Sequence, residues 1–448
     1  MKRVKHRTLS ALVFVLILFV GLGIYLVRYF TQGGKWVSFS ANQAVYSDGI
    51  LNVGTLLDRN GMILASVSDG ERTFAEYSLT RRATLHAVGD KSGNIGTGAI
   101  YAFAPQLIGY NPVFGVSSFS GKGQSVYLTL DANLNEVAYE ALAGRKGTVA
   151  VCNYETGEVL CMVSSPTFDP ADPPSISDDD ESYEGVYINR FLSSTFSPGS
   201  TFKLVTTVAA LEKIDDLYDR EFYCAGSLEV ERDTITCTGT HGTITIEEAL
   251  AVSCNCAFAE LALELGGDTI SKYFEDLGFA EQDKVNGILT ASGKYDIAPD
   301  DSSDLGWSGV GQYNDMVNPA AMLKFMCAIA NGGEAKNLNL IYKSGIFKRM
   351  NLGSDRLLKK GTADELSDMM SFNVHYNYGA DNYPGLELHA KSGTAEVGGG
   401  KSPHAWFVGF ISNPDNPLAF VVLVENGGSG SSVAGSVANT VLQAAISG

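Results

Sequence analysis

The chain has 448 residues, 45% of them hydrophobic and 18% charged, with 32 basic and 50 acidic side chains and a formal net charge of −18. A mean hydropathy of +0.04 excludes both a disordered chain and a polytopic membrane protein. The acidic balance argues against nucleic acid as a partner, because a phosphate backbone is bound through basic side chains.

The amino-terminal segment predicts a membrane anchor. Residues 1–28 contain five Lys and Arg side chains and no carboxylate, and the 17 residues from Ala11 to Val27 are uncharged. A helix of this length is just enough to cross a hydrocarbon core of about 30 Å. No small-residue cleavage pattern follows Val27, so we expect an uncleaved, single-pass anchor. The basic cluster predicts a cytoplasmic amino terminus, with the chain from about Arg28 onward outside the cell membrane.

Residues 35–125 are predicted to form short strands and turns, with Asn60-Gly61 as a hairpin turn. The sequence Ser120-Gly121-Lys122-Gly123 indicates a loop and a domain boundary. A short strand and an amphipathic helix follow in residues 126–144.

The carboxy-terminal two thirds of the chain predict a mixed domain. A strand pair is expected at 147–154 and 159–165, followed by a polar loop whose acidic run is a solvated face. Helical patterns dominate from 202 to about 333. Strand patterns return at 386–394, 404–412 and 418–426, and a helix ends the chain. Strands at both ends with helices between them predict an α+β fold with a mainly antiparallel sheet.

Seven cysteines are too few for a disulfide scaffold, so a hydrophobic core must stabilise the exported part. Cys152, Cys161 and Cys327 lie in apolar runs and are predicted to be buried. Cys224 and Cys237 flank a predicted hairpin and either form a disulfide or remain free thiols. The chain has no C-x-x-C pair, and the spacing of its cysteines and histidines predicts no metal site.

The first motif with chemical potential is Ser200-Thr201-Phe202-Lys203. Pro198 and Gly199 form a turn before an apolar-periodic helix, which places Ser200 in the first turn. Side chains three residues apart share a helix face, so Lys203 can reach the serine hydroxyl. A neutral lysine is able to remove the proton of this otherwise weak nucleophile. Alone, the spacing is weak, because a capping serine and a surface lysine also produce it.

Two other motifs add polar groups. Ser253-Cys254-Asn255 lies between two predicted helices and offers a hydroxyl and an amide for proton relay and substrate hydrogen bonds. Lys391-Ser392-Gly393-Thr394 ends a predicted strand, where a cation and hydroxyls can hold a carboxylate and glycine permits close approach of a substrate. Each motif alone is ordinary: helix caps and strand ends use the same residues.

The ordered set of S-x-x-K, S-x-N and K-[ST]-G in an exported chain is the signature of penicillin-binding proteins and serine β-lactamases. The sequence resembles the class B penicillin-binding proteins, the monofunctional peptidoglycan transpeptidases. The resemblance extends over nearly all residues from Val126 onward, including the segments INRFLSSTFSPGSTFK, HGTITIEEALAVSCNCAFAELA, GVGQYNDMVNPAAM and AKSGTAE.

This resemblance implies three parts: a cytoplasmic tail and transmembrane anchor at 1–28, a small β-rich pedestal at 29–122, and a transpeptidase domain at 123–448 with helices on both sides of its antiparallel sheet. It implies the stem peptides of peptidoglycan as substrate, β-lactams as covalent inhibitors and no cofactor. Relatives commonly work with a polytopic glycosyltransferase of the RodA/FtsW type.

The resemblance also implies catalytic roles. Ser200 is the nucleophile, Lys203 its base, and Ser253 passes a proton to the leaving amine. Asn255 orients Lys203 and the substrate, and cationic Lys391 lowers the proton affinity of Lys203.

The substrate-binding residues follow from the same resemblance. Ser392, Gly393 and Thr394 bind the substrate, and the hydroxyls of Ser392 and Thr394 hold the substrate carboxylate together with Lys391. The backbone N–H groups of Ser200 and Thr394 form the oxyanion hole.

Other functions fit less well. A membrane-anchored β-lactamase or D,D-carboxypeptidase shares the motifs, and a penicillin-sensing receptor is the non-enzymatic alternative. The GGGKS segment lacks the first glycine of a P-loop, since Ala395 stands there. No histidine lies in a hydrolase or zinc-protease motif, and we interpret His241 and His404 as structural residues near the cleft.

Overall fold

The computed structural model describes residues 2–43, 45–47, 50–116, 123–177, 179–231, 233–342 and 353–447. The predicted loop at 120–123 and its boundary lie almost wholly outside these residues.

A long exposed helix begins the chain. Helix α1 (Lys2–Val37) includes the uncharged segment and continues ten residues beyond Val27. Within the described part of the chain it is the one helix long and apolar enough to cross a membrane. Its last turns pack on the following region, where Gly33 lies against Tyr110 and Gly34 against Pro105.

The region after α1 is less β-rich than predicted. Its elements are β1 (Tyr46–Ser47), β2 (Ile50–Leu51), β3 (Thr55–Leu57), β4 (Ile63–Ser68), β5 (Glu71–Phe74), α2 (Ser78–Ala83), α3 (Leu85–Val88), α4 (Ala99–Ala102), α5 (Ala104–Ile108), β6 (Tyr110–Asn111), β7 (Gly115–Val116) and β8 (Ser125–Tyr127). The turn at Asn60-Gly61 is confirmed, because β3 and β4 pair antiparallel around it. The short helices α2 to α5 were missed, since four to six residues are too few to show a helical period. Strand β8 pairs in parallel with β3, so the segment after the predicted boundary completes the amino-terminal sheet.

The elements of the larger region are α6 (Ala132–Leu142), β9 (Gly147–Asn153), β10 (Val159–Ser165), α7 (Arg190–Ser193), α8 (Lys203–Lys213), β11 (Phe222–Cys224), β12 (Ser227–Val230), β13 (Asp233–Thr236), β14 (Gly242–Ile244), α9 (Ile246–Ala251), α10 (Asn255–Leu265), α11 (Gly267–Asp276), β15 (Lys284–Val285), β16 (Ile288–Leu289), α12 (Ser303–Val310), α13 (Pro319–Ala330), β17 (Glu334–Lys336), β18 (Ser354–Arg356), α14 (Lys360–Asn373), β19 (Leu388–Ala395), β20 (His404–Ile411), β21 (Leu418–Val424) and α15 (Gly435–Ser447).

The antiparallel sheet predicted from the strand patterns is confirmed. Its five strands run in the order β10-β9-β21-β20-β19, and each neighbouring pair is antiparallel. One face packs with α6 and α15 in one apolar cluster, and the other packs with α8 and α13 in a second. The strands are therefore apolar on both faces, as expected for a sheet covered by helices on both sides. Strand β19 lies at the edge and leaves backbone groups unpaired by the sheet.

The segment between 202 and 333 is more mixed than its helical pattern predicted. The helices are present, and three two-stranded pairs lie among them. The pair β12 with β13 is the hairpin predicted between Cys224 and Cys237, whereas β11 with β14 and β15 with β16 were not predicted. The β11 to β14 group projects Cys224, Cys237 and His241 toward the start of α10. Cys152, Cys161 and Cys327 are buried, as predicted.

Candidate active site

The candidate nucleophile lies on a turn pressed against the edge strand. Gly199–Thr201 forms a single 3₁₀ turn, and α8 begins two residues later with Lys203. Gly199 has φ +52°, and a Cβ there would lie 2.8 Å from Thr394 O of β19. Glycine is therefore needed at this position for both conformation and space. The turn presents Ser200 at the end of β19.

Two further glycines leave space for this turn to pack. The N–H of Gly199 donates to Gly311 O at 3.0 Å, and Gly311, at φ +81°, leaves room for Phe202. At Gly393 a Cβ would lie 2.7 Å from Pro198 O. The close approach at Gly393 is thus made by the turn of the protein itself, whereas the sequence led us to expect the substrate there.

The side chain of Lys203 joins the first two motifs. Its Nζ lies 3.1 Å from Ser200 Oγ, 2.6 Å from Ser253 O, 3.1 Å from Ser253 Oγ and 2.7 Å from Asn255 Oδ1. The residue is 0% exposed. Every one of these partners is a neutral oxygen, so the surroundings offer an ammonium charge no direct counter-ion.

A neutral Lys203 has the hydrogen-bonding capacity to accept a proton from a hydroxyl. An uncharged amine has two N–H groups and one lone pair. Ser253 O and Asn255 Oδ1 can only accept, so they take the two N–H groups. The lone pair remains for a hydroxyl donor, and Ser200 Oγ at 3.1 Å is placed to provide one. The geometry therefore suits transfer of the serine proton to the amine.

Burial favours this neutral form. Loss of hydration lowers the pKa of Lys203 from its usual value to about 7, against a smaller opposing electrostatic effect of the nearby sulfur atoms of Cys237, Cys254 and Cys256. Burial is also the main cause that holds the pKa of Lys391 well below its usual range, and repulsion by Lys203 adds to it. The sequence led us to expect that a cationic Lys391 lowers the proton affinity of Lys203, whereas in the structure the main cause of the lowered pKa of Lys203 is its own desolvation.

Ser253 lies between the two amines. Its Oγ is 3.1 Å from Lys203 Nζ and 3.0 Å from Lys391 Nζ. Its backbone has φ +57°, a left-handed conformation that costs a non-glycine residue about 1–3 kcal/mol and persists only when the surroundings enforce it. This conformation ends α9 and starts α10, with Asn255 as the first residue of α10.

The edge strand β19 presents the third motif to the same place. Lys391 is 0% exposed and also donates to Ser392 O at 2.9 Å, whereas Thr394 is exposed. The N–H of Ser392 points away from β20, since it donates to Tyr378 Oη at 2.7 Å. Backbone direction alternates along a strand, so the N–H of Thr394 also points outward. Ser392 and Thr394 line one cleft with Ser200, Ser253 and Asn255.

The cleft has a volume of about 490 Å³. Its wall includes Trp307, Gln312 and Glu396, which the motifs did not predict. Gln312 Nε2 donates to Thr394 O at 3.0 Å and so occupies an outward-facing backbone group of the edge strand. Its segment GVGQ was among those that resemble the family, and this was the one signal that could have identified it.

Tyr378 is a second group that sequence reasoning missed. Its hydroxyl donates to Ser392 Oγ at 2.8 Å, while the neighbouring Asn377 Nδ2 donates to Ala251 O at 2.7 Å. Both residues lie on a π-helical turn, Val374–Tyr378, after α14. The turn connects β19 with the end of α9, and no local pattern in the sequence indicates it.

The cysteine and histidine side chains also differ from expectation. Cys224 and Cys237 are free thiols in this structure. They meet His241 and Cys254 in one cluster, all four offering metal-ligand atoms within 4.8 Å of one another. Spacing along the chain had indicated no such group, because the four residues come from separate elements.

The sequence and the fold are similar to those of known proteins. The penicillin-binding protein transpeptidase domain matches residues 147–443. The chain is 27% identical over 375 residues to peptidoglycan D,D-transpeptidase PbpA of Mycobacterium tuberculosis, with 73% of each protein covered. It is 30% identical over 335 residues to stage V sporulation protein D of Bacillus subtilis, covering 68% of this chain and 50% of that protein. The imipenem acyl-enzyme of penicillin-binding protein A from M. tuberculosis superposes with a TM-score of 0.75 at 25% identity, covering 88% of this chain and 98% of that one.

The crowding around the nucleophile turn predicts a specific mutational effect. In Gly311→Ala the new Cβ would lie 2.6 Å from Phe202 Cβ and closer still to Gly199 O, at a positive φ. We expect a loss of about 2–4 kcal/mol of unfolding free energy and slower labelling of Ser200 by fluorescent penicillin.

Gly144→Ala is the matched control, because Gly144 has φ +76° with nothing within 4 Å of the added carbon. It should cost about 1 kcal/mol and leave labelling unchanged. Equal effects in the two variants would show that backbone strain alone, without crowding of the turn, explains the loss.

Proposed function

Because this chain belongs to the penicillin-binding protein transpeptidase family and is a serine-type peptidoglycan D,D-transpeptidase that β-lactams acylate, we propose how its residues divide the reaction. Ser200 is the nucleophile, Lys203 the base, and Ser253, Asn255 and Lys391 complete the catalytic set. The observation that carries this proposal is Lys203 Nζ at 3.1 Å from Ser200 Oγ, with both N–H groups of the neutral amine committed elsewhere.

Acylation begins at the penultimate carbonyl of a stem peptide that ends in D-Ala-D-Ala. Ser200 Oγ forms the new C–O bond while its proton moves to Lys203 Nζ. The carbonyl oxygen becomes an oxyanion, for which the backbone N–H groups of Ser200 and Thr394 are the proposed donors. The N–H direction along the edge strand β19 supports the assignment of Thr394.

Collapse of the oxyanion breaks the amide C–N bond. The leaving D-Ala nitrogen needs a proton, and Ser253 Oγ can relay the one that Lys203 received, since it lies 3.1 Å from that Nζ. Lys391, 3.0 Å from the same hydroxyl, keeps it oriented. An amine of a neighbouring stem peptide then attacks the acyl-enzyme, gives its proton to Lys203, and Ser200 recovers a proton as the cross-link forms.

Substrate binding is assigned to the outer side of β19. We assign the terminal carboxylate to the hydroxyls of Ser392 and Thr394 and to Lys391. Exposure of Thr394, and of part of Ser392, in the cleft supports this assignment. Tyr378 holds the Ser392 hydroxyl through a 2.8 Å hydrogen bond and thereby fixes its direction. Gly393 contributes by admitting the nucleophile turn.

The nucleophile assignment has a direct test. Fluorescent penicillin should label the wild-type protein and should not label Ser200→Ala, because the variant lacks the hydroxyl that we assign as the nucleophile. Ser271→Ala, a partly exposed serine of α11, should label normally. Equal labelling of Ser200→Ala and wild type would disprove the assignment.

The product of the reaction separates the alternatives. With a stem-peptide donor and an amine acceptor we expect cross-linked dimers by mass spectrometry. Release of D-Ala without dimers would indicate a D,D-carboxypeptidase, and rapid turnover of a chromogenic cephalosporin would indicate a β-lactamase.

The buried base predicts a pH dependence. Only neutral Lys203 can accept the serine proton, and its pKa is about 7. The acylation rate constant should therefore rise with pH through this value and level off above it. About two pH units below the pKa, roughly 1% of the amine is neutral, so acylation should be about 100-fold slower.

Stopped-flow measurement of penicillin acylation against pH tests this expectation. Lys203→Arg retains a cation but no usable base, so its rate should be low at every pH. A flat profile for the wild type would contradict general-base catalysis by Lys203.

We also propose a topology and a partner for the whole chain. Residues 1–28 form the cytoplasmic tail and anchor, 29–122 the pedestal and 123–448 the extracytoplasmic transpeptidase domain, and the partner is a RodA/FtsW-type glycosyltransferase. The basic residues before the apolar part of α1 support this orientation.

Two experiments test these proposals. A photo-crosslinker at Phe19 should capture the glycosyltransferase. External protease on spheroplasts should degrade the large region and spare an amino-terminal tag. Protection of the large region would reverse the orientation.

A further inference from the structure

A group of soft metal ligands includes Cys254, the middle residue of the catalytic Ser253-Cys254-Asn255 segment. The thiols of Cys224, Cys237 and Cys254 and the imidazole of His241 place one ligand atom each within 4.8 Å of the others. We propose that these four side chains bind one Zn²⁺ ion, in a structural site that positions Ser253 and Asn255.

The distances suit a tetrahedral ion. With Zn–S bonds of about 2.3 Å and a Zn–N bond of about 2.0 Å, the ligand atoms of a tetrahedral site with three sulfurs and one nitrogen lie roughly 3.5–3.8 Å apart. Cys237 Sγ is 3.6 Å from His241 Nδ1 and 3.9 Å from Cys254 Sγ. Closure around an ion therefore needs movements of only a few tenths of an ångström for these pairs.

The ligand chemistry selects the metal class. Three thiolates and one imidazole are soft and borderline ligands, which favour Zn²⁺ over Mg²⁺ or Ca²⁺, whose preferred ligands are oxygens. Four protein ligands also leave no open coordination position, as in structural zinc sites. The ion is thus not expected to contact the substrate.

The ligands come from four places that the fold holds together. Cys224 ends β11, Cys237 follows β13, His241 precedes β14, and Cys254 is the capping residue of α10. Cys224 and Cys254 are 0% exposed, whereas Cys237 and His241 are partly exposed and Cys237 also lines the substrate cleft. The cleft is therefore an entry path for the ion.

The cluster connects to the catalytic segment through short contacts. Cys254 itself separates Ser253 from Asn255. The N–H of Asn255 donates to Cys237 Sγ at 3.2 Å, and Asn255 Nδ2 donates to Thr236 O at 2.9 Å. An N–H group directed at the sulfur is the kind of contact that supports a metal-bound thiolate. An ion at this position ties the left-handed Ser253 and the Asn255 amide to the β11–β14 strands.

Metal content is the first test. The full-length protein, purified in detergent without chelator, should contain about one zinc ion per chain by elemental mass spectrometry. His241→Ala and Cys237→Ser should lower this content at least fivefold. Cys161→Ala, a buried thiol of β10 outside the cluster, should keep it. Replacement of zinc by Co²⁺ should give thiolate-to-cobalt absorption that His241→Ala alters.

Two results would overturn the site. One is a metal-free wild-type protein whose cysteines all react with an alkylating reagent. The other is a disulfide among Cys224, Cys237 and Cys254, detected by peptide mass spectrometry without reductant, in a protein that does not take up zinc after reduction. Neither readout depends on transpeptidase activity, so failure here leaves the proposed catalytic roles untouched.

The positioning role needs a separate measurement. Zinc removed by a chelator should slow penicillin acylation of Ser200 at least tenfold at a temperature where the stripped protein remains folded by circular dichroism, and added zinc should restore the rate. An unchanged acylation rate in folded, zinc-free protein would overturn the positioning role.

Discussion

Two lysine amines enclosed in the protein interior are the constraint on which the rest of the site depends. Lys203 and Lys391 are both 0% exposed, and their Nζ atoms lie on either side of the same hydroxyl, Ser253 Oγ. Charge in such a place loses hydration without gaining a counter-ion, so the neutral amine is favoured. Enclosure in this way converts an ordinary cation into a base that can act near neutral pH.

That enclosure is assembled from three distant parts of the chain. The nucleophile turn packs on β19, and this packing requires glycine at 199, 311 and 393, where any Cβ would meet backbone or side-chain atoms. The Ser253-Cys254-Asn255 segment is the third part, and it contacts the amine of Lys203 through Ser253 and Asn255. Because β19 is an edge strand, its outward N–H and C=O groups are not used by the sheet, as those of a central strand would be. Ser392 N–H bonds to Tyr378 and Thr394 O to Gln312, and the N–H of Thr394 points outward beside them. The edge position of β19 therefore lets its backbone take part in the site.

The cysteine cluster extends this arrangement outward. It contacts Asn255 through the 3.2 Å hydrogen bond to Cys237 Sγ, and Cys237 itself lines the cleft. The strand group β11–β14 thus supports the S-x-N segment. Its elements are short and have little core of their own. We therefore expect a zinc ion bound between them and α10 to stabilise their position.

The sequence by itself indicated many of the local elements and the candidate catalytic groups. Apolar periodicity identified β9, β10 and β19–β21, and the order of Ser200, Ser253 and Lys391 in three motifs indicated the family, because these signals are contained within short segments. Only the tertiary structure decided what approaches Gly393, which residues fix Ser392, and that four cysteine and histidine side chains meet. Those outcomes depend on contacts between residues tens to hundreds of positions apart. The spacing of residues along the chain does not specify such contacts.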